Sequence, residues 1–244
     1  EKGRIGLPRF FVSPVTSDTL CIDGENGRHI ARSLRMRPGE TLTLSDGKGT
    51  DYLARILSID GDAVETEILE RTPNQTEPRA KLTLFMAMPK GDKMELIVQK
   101  ATEIGVSVIQ PILTERCISR PDEKSMEKKR ARYQKIALEA AGQSGRGKVP
   151  EIRKLLTLSE ADQVLPEKSI LFYEKGGERL SKLITSDDTD IGMFVGSEGG
   201  FSEEEAAFLV ENGVVPATLG MRILRCETAP LCGMSVILSL TGDI

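Results

Sequence analysis

The sequence of 244 residues contains one histidine, His29, and four cysteines, none of them in a C-x-x-C pair. A single histidine excludes a multi-histidine metal site and nearly excludes a serine–histidine–aspartate triad. Because paired cysteines are also lacking, we expect no zinc or other metal. The pattern is typical of reduced thiols in a cytoplasmic protein.

Long apolar segments and dinucleotide-binding motifs are missing as well. No apolar run reaches the roughly 18 residues of a membrane-spanning helix, and the N-terminus shows no signal-peptide core. We therefore predict a protein with no membrane partner and a cytoplasmic location. No G-x-G-x-x-G follows a predicted strand, which argues against a dinucleotide site or a Rossmann-type cofactor site.

Charge is unevenly distributed along the chain. The 33 basic and 37 acidic residues give a net charge of -4, but residues 90–153 carry fourteen basic and nine acidic side chains. Residues 154–244 carry seven basic and fifteen acidic side chains. Such segregation predicts one electropositive face. Arg28, Arg32, Arg35 and Arg37 lie within ten residues that contain no acid. This density favours phosphate contacts, and a solvated helix face is the alternative.

The spacing of apolar residues changes along the chain and divides it into two regions. Residues 7–70 show short alternating runs joined by tight turns, which predicts a small β-barrel. A polar segment with two prolines follows, and strand and helix patterns then alternate, as in an α/β domain. We predict a barrel domain over 1–72, a linker over 73–80 and an α/β domain over 81–244. The final helix, about 228–240, is apolar nearly all round, so it must be buried in the domain or at an interface.

Residues 142–149 come close to the phosphate-loop pattern of nucleotide hydrolases, one residue short. Val149 has no hydroxyl to offer magnesium, and the segment follows a helix, whereas a phosphate loop leaves a strand. A nucleotide hydrolase is therefore a disfavoured alternative. The simpler interpretation is a glycine-rich helix exit, in which Arg146 and Lys148 can contact a polyanion.

Two C-terminal segments contain residues suited to binding a ligand or to catalysis. Gly196-Ser197-Glu198-Gly199-Gly200 follows a predicted strand and precedes a helix that Ser202 and Glu205 would cap. Glycines there allow a ligand to approach the backbone at the carboxyl end of a parallel strand, although a ligand-free turn could need them too. In residues 219–229, Thr228 can cap the buried helix. No structural role requires the neighbouring Arg225 and Glu227.

These two segments together resemble motifs of the RsmE family of 16S rRNA (uracil-N3) methyltransferases in the SPOUT superfamily. Shorter matches cover nearly the whole chain: Arg9-Phe10-Phe11, 29–39, 46–49, Lys93-Met94-Glu95, 100–103, 114–116 and 143–146. The chain departs from the family at Ser197, where proline is usual. We expect this to alter loop stiffness more than chemistry. Cys226 is a variable position, and we assign it no role.

The resemblance implies a fold and a partner for each domain. The fold class is α/β, a SPOUT-type domain with a C-terminal trefoil knot, preceded by a PUA-like β-barrel that holds RNA. A homodimer would form through the knotted domains, and the partner would be 16S rRNA of the small ribosomal subunit. The cofactor would be S-adenosyl-L-methionine, cradled by three loops. Its expected contacts are Leu171, Tyr173, Val195, Gly196, Gly199, Gly200, Leu219, Gly220, Ile223 and Leu224.

Removal of the uracil N3 proton needs a base or strong stabilisation of the uracil anion. The candidates for catalysis are Arg225, Glu227 and Glu198. We prefer Arg225 as the stabiliser of negative charge and leave the base open between the two glutamates. The RNA contacts expected from charge are Arg9, Arg28, Arg32, Arg35, Arg116, Arg146 and Lys148. The alternative from another class is a non-catalytic RNA-binding module that uses the barrel and no cofactor.

Overall fold

A computed structural model describes residues 6–244, and these residues divide into two compact units. The first unit comprises the chain up to Glu77 together with Ala141–Val149, and the second comprises Pro78–Ala140 and Pro150–Ile244. The predicted linker over 73–80 contains this division. The predicted domain over 81–244 differs from the structural division in one segment, because residues 141–149 group with the first unit.

Short strands and tight turns build the first unit, as the alternating pattern predicts. Its elements are β1 (Arg9–Phe11), β2 (Thr19–Ile22), α1 (Gly24–Arg28), a π-helical turn (His29–Ser33), β3 (Thr41–Ser45), β4 (Thr50–Asp60) and β5 (Ala63–Pro73). The five strands form one sheet in the order β1-β3-β4-β5-β2. Two irregularities in the β4–β5 pairing bend the sheet. It surrounds a single core that includes Phe10, Ile30, Leu42, Leu44 and Ile56.

The glycine-rich segment 142–149 is fixed to this first unit by Glu77. The Glu77 carboxylate accepts hydrogen bonds from the Arg146 guanidinium at 2.7 Å and from the backbone N–H groups of Gly147 and Lys148 at 3.0 and 3.1 Å. Arg9 donates to the Arg146 carbonyl at 3.2 Å. The segment is thus an ordered helix exit whose backbone N–H groups already have an acceptor. This geometry supports the simpler interpretation over a phosphate loop.

The second unit alternates strands and helices. Its strands are β6 (Lys81–Ala87), β7 (Val108–Leu113), β8 (Glu151–Ile152), β9 (Leu156–Thr157), β10 (Lys168–Phe172), β11 (Glu178–Arg179), β12 (Asp190–Val195) and β13 (Val215–Thr218). Its helices are α2 (Lys93–Ile104), α3 (Glu123–Gln143, whose last residues enter the first unit), α4 (Leu158–Asp162), α5 (Leu180–Leu183), α6 (Glu203–Glu211) and α7 (Thr228–Thr241).

All pairings in the second sheet are parallel. Its order is β11-β13-β10-β12-β6-β7-β8, and β9 also pairs with β7. The central strands are continuous apolar runs because helices cover such a sheet on both faces. Strand β10 lies between β12 and β13, with Leu171 beside Phe194 and Phe172 beside Ala217. The carboxyl ends of these three strands therefore meet at one edge.

Asp92 occupies the position before α2, and its side chain makes no capping hydrogen bond. The structure corrects one expectation about helix caps. Thr228 is the first residue of α7, and Glu227 occupies the cap position without a side-chain bond. The predicted capping box at Ser202 and Glu205 is confirmed, because both reciprocal bonds are present.

Candidate functional site

The carboxyl edge of β10, β12 and β13 opens into a cavity of about 510 Å³. Three segments form its walls: the end of β10, the turn after β12, and the loop between β13 and α7. This volume lies in the range of small-molecule sites, and its position is where α/β sheets bind ligands. The lining residues are Phe172–Glu174, Val195–Gly200, Ala217–Cys226 and Ala229.

Glycines make the turn after β12 possible. A Cβ atom at Gly196 would lie 2.8 Å from the Cα of Gly200, and one at Gly199 would lie 2.8 Å from the Cβ of Arg116. Gly200 has φ +67, a conformation that side chains disfavour, and its N–H donates to the Ser197 carbonyl at 3.0 Å. The turn therefore brings backbone, rather than side chains, to the cavity wall.

Most predicted cofactor contacts converge on this cavity. Nine line it directly: Tyr173, Val195, Gly196, Gly199, Gly200, Leu219, Gly220, Ile223 and Leu224. Leu171 does not, because its side chain is buried within the sheet and the next residue, Phe172, takes the lining position. Tyr173 and the apolar side chains of the last loop give this wall surfaces that suit a flat heterocycle. The exposed backbone offers polar contacts.

The candidates for catalysis lie on the same side of the unit. Arg225 and Glu198 line the cavity, and Glu227 adjoins it. The Arg225 side chain is exposed, and its guanidinium has no hydrogen-bond partner among residues 6–244. Its backbone carbonyl accepts bonds from Thr228 and Ala229 at 2.8 and 2.9 Å, which fixes the loop where α7 begins.

Lys93 joins the two glutamates, and the sequence reasoning missed it as a site residue. Its Nζ lies 2.8 Å from Oε1 of Glu198 and 3.4 Å from Oε2 of Glu227. The thiol of Cys226 donates to the same Glu227 oxygen at 3.2 Å. The sequence did contain one signal for Lys93, because Lys93-Met94-Glu95 matches a motif of the family. That motif lies at the start of a helix whose other conspicuous residues are apolar.

These contacts shift the ionisation of the cluster. Burial opposes ionisation of Glu198, but the Lys93 ammonium and the Lys90 backbone N–H outweigh it and lower the pKa of Glu198. The Cys226 thiol, a backbone N–H and Lys93 lower the pKa of Glu227. Burial, with the neighbouring carboxylates, raises the pKa of Cys226 to about 12. At neutral pH the site therefore holds two carboxylates, one ammonium and a neutral thiol.

The residues predicted to contact RNA fall into two groups. The half-buried Arg9 pairs with Asp51 through two bonds of 2.6 and 2.7 Å, and Arg146 is 3% exposed and pairs with Glu77. Both guanidinium groups are thus committed inside the first unit. The other predicted contacts, Arg28, Arg32, Arg35, Arg116 and Lys148, are exposed.

Two of these exposed cations have acidic neighbours, and one holds the glycine turn. Arg28 and Arg32 both contact Asp62, at 3.4 and 2.7 Å. Arg116 donates to the Gly199 carbonyl at 3.0 Å.

Within residues 6–244 no group of three or more histidine, cysteine, aspartate or glutamate side chains could hold a metal ion. No helix in that range combines the length and apolar character needed to cross a bilayer.

Two family models match separate parts of the chain. Residues 75–238 match the family model of the RNA methyltransferase domain, and residues 22–69 match that of the RNA methyltransferase PUA domain. The ribosomal RNA small subunit methyltransferase E of Bacillus subtilis is 33% identical over 228 residues, which cover 90% of this chain and 89% of that protein.

Solved structures similar to this chain include methyltransferases of the same kind. The ribosomal RNA small subunit methyltransferase E of Neisseria gonorrhoeae, bound to S-adenosyl methionine, has 35% identity and a TM-score of 0.89, with 96% of this chain and 98% of that one covered. A methyltransferase of Legionella pneumophila in complex with the same cofactor has 30% identity and a TM-score of 0.88, covering 96% and 97%. The chain therefore belongs to the RNA methyltransferase family that includes the ribosomal RNA small subunit methyltransferases E.

Proposed function

We propose that the chain is an S-adenosyl-L-methionine-dependent methyltransferase that methylates N3 of a specific uridine in 16S rRNA of the small ribosomal subunit. The observation that carries the proposal is the cavity with a glycine turn in its wall at the carboxyl ends of β10, β12 and β13. It lies in a chain whose relatives with solved structures hold this cofactor at 30 and 35% identity.

The residues present fit the cofactor. The glycine turn leaves no room for a Cβ atom at Gly196 or Gly199, which keeps its backbone N–H and C=O groups accessible to a ligand. Tyr173, Leu219 and Leu224 would pack against an adenine ring, and the turn would orient the polar groups. When bound, the cofactor supplies a methyl group on a positively charged sulfur. The chain's contribution is to hold the uracil N3 in line with that methyl group.

Arg225 is proposed to stabilise the negative charge that develops on a uracil oxygen as N3 loses its proton. Arg225 lines the cavity, and its guanidinium has no partner among residues 6–244, so contact with a substrate would break no existing hydrogen bond of that group. Glu198 and Glu227 are less suited to be the base, because an efficient base has a pKa near the working pH and both of theirs are lowered. We infer that charge stabilisation contributes more than a strong protein base.

RNA phosphates would contact the exposed cations of each unit: Arg28, Arg32, Arg35 and Lys148 in the first, and Arg116 in the second. We further propose the homodimer and the trefoil knot implied by family resemblance. The largely apolar surface of α7 and its exposed Val236 support the dimer. We also propose a cytoplasmic location, which the names of the rRNA methyltransferase relatives support.

Cofactor binding separates this proposal from a non-catalytic RNA-binding module. Calorimetric titration of the protein with S-adenosyl-L-methionine should show saturable binding, and Gly196→Ala should weaken it at least tenfold. RNA binding with no measurable heat from the cofactor would instead favour the binding module.

A further inference from the structure

One ammonium group holds two loops of the cavity in contact. Lys93 is the first residue of α2, Glu198 belongs to the turn after β12, and Glu227 belongs to the loop that enters α7. The Lys93 Nζ contacts both carboxylates, at 2.8 and 3.4 Å, and lies 3.8 Å from the Cys226 sulfur. Three segments that are far apart in sequence therefore share one cation.

The residues before α2 strengthen this attachment. The backbone N–H of Lys90 donates to both oxygens of Glu198, at 3.2 and 3.3 Å. The side chains of Lys93, Glu198 and Glu227 are 34%, 26% and 25% exposed, so the cluster is partly shielded from water. An ion pair in such a setting is stronger than one on an open surface, because solvent screens it less.

The balance of charge makes Lys93 necessary. Glu198 and Glu227 both contact the Nζ atom of Lys93. Without that positive charge, two negatively charged carboxylates and the Cys226 thiol would lie beside one another. The charged and titratable groups that face Lys93 are these two carboxylates and the thiol; Arg225 precedes the thiol in the same loop. Removing the ammonium would make the carboxylates repel, and the two loops would separate.

We propose that Lys93 is a positioning residue that sets the spacing of the glycine turn and the Arg225 loop by binding Glu198 and Glu227 together. The role rests on the proposed function, because the two loops form the walls of the proposed cofactor site and carry Arg225. Lys93 acts through the glutamates and is not itself placed against substrate or cofactor.

Three variants test the role. Lys93→Ala removes the cation, Lys93→Arg restores it, and Lys100→Ala removes a lysine of the same helix that pairs only locally, with Glu103 at 2.8 Å. The carboxyl pKa values of Glu198 and Glu227 are measured by NMR on protein labelled at glutamate. Single-turnover methyl transfer is followed against pH at saturating cofactor, and thermal unfolding checks that each variant folds.

Lys93→Ala should raise both carboxyl pKa values, because a positive neighbour that favours the ionised form is lost. Its methyl-transfer rate should fall about 100-fold, as expected for misplaced reacting groups. The loss should be largest where both carboxylates are ionised, and it should lessen as the pH falls and their protonation relieves the repulsion. Lys93→Arg should restore both properties, and Lys100→Ala should match the wild type.

Unchanged carboxyl pKa values in Lys93→Ala would overturn the proposal, whether or not the chain methylates RNA. So would equal rate losses in Lys93→Ala and Lys100→Ala. If the wild type transfers no methyl group but the pKa values rise in Lys93→Ala and return in Lys93→Arg, the proposed function fails while the role of Lys93 in holding the two loops stands.

Discussion

Arg225 lines the cavity, and its exposed side chain has no hydrogen-bond partner among residues 6–244. We predict that Arg225→Ala lowers the single-turnover rate of methyl transfer by about 100-fold while cofactor affinity stays within about twofold, because its charge acts on the developing anion. The rate is measured by rapid quench with labelled cofactor, and affinity by calorimetry. Arg179→Ala, an exposed arginine on β11 of the same unit, is the control. A full rate in Arg225→Ala would remove this residue from the mechanism.

Arg146 illustrates the opposite case, a cation enclosed by its own unit. We predict that Arg146→Ala lowers the free energy of unfolding by about 3 kcal/mol, since the shielded Glu77 carboxylate loses its paired charge. Arg28→Ala, whose side chain is 67% exposed, should change it by less than about 0.5 kcal/mol. Urea unfolding curves measure both, and equal effects would contradict the assigned burial.

Sequence alone could not separate these arginines. Arg9, Arg146 and Arg28 all satisfy the criterion of local positive charge, but their roles depend on Asp51, Glu77 and Asp62, which are at least 30 residues away in the chain. The role of Lys93 could not be predicted from the sequence for the same reason, because its partners lie on two distant loops. Motifs close in sequence, such as the Ser202–Glu205 capping box, were predictable because both partners are local.

At the scale of elements, the glycine turn after β12 requires small residues by its shape. We predict that Gly196→Ala weakens cofactor binding at least tenfold, because the new Cβ would lie 2.8 Å from the backbone of Gly200 and the turn must deform. Gly142→Ala is the matched control, since its Cβ would meet only a carbonyl oxygen at 3.8 Å. Calorimetric titration decides between them, and equal affinities would show that the turn does not hold the cofactor.

Long elements with clear periodicity were predictable, as α2, β6, β12 and the strands of the first sheet show. The two-residue strands β8, β9 and β11 were not, because so short a segment contains no period and exists only through its neighbours. Between β2 and β3, α1 continues directly into the π-helical turn. Tertiary packing around the buried Ile30 overrides the regular pattern there.

At the scale of the whole molecule, the net charge of -4 conceals exposed cations that can bind a polyanion. We predict that replacing Arg28, Arg32 and Lys148 together with alanine weakens RNA binding and lowers the slope of log K against log salt by about 2 to 3, since each phosphate contact releases counterions. Filter binding over a range of salt concentrations measures the slope. Replacing the exposed Lys124, Lys128 and Lys182 provides a control of equal charge. Identical slopes in the two triple variants would show that charge alone, not the proposed surface, drives binding.

The central claim is methyl transfer to a uridine of small-subunit RNA, and product analysis tests it most directly. Small ribosomal subunits lacking the modification are incubated with the protein and S-adenosyl-L-methionine, and the RNA is digested and examined by mass spectrometry. We predict 3-methyluridine at one position, and less of it with the Gly196→Ala variant at the same subsaturating cofactor concentration. A methyl group on another atom or on many positions, or no transfer by a protein that binds the cofactor, would contradict the proposed reaction.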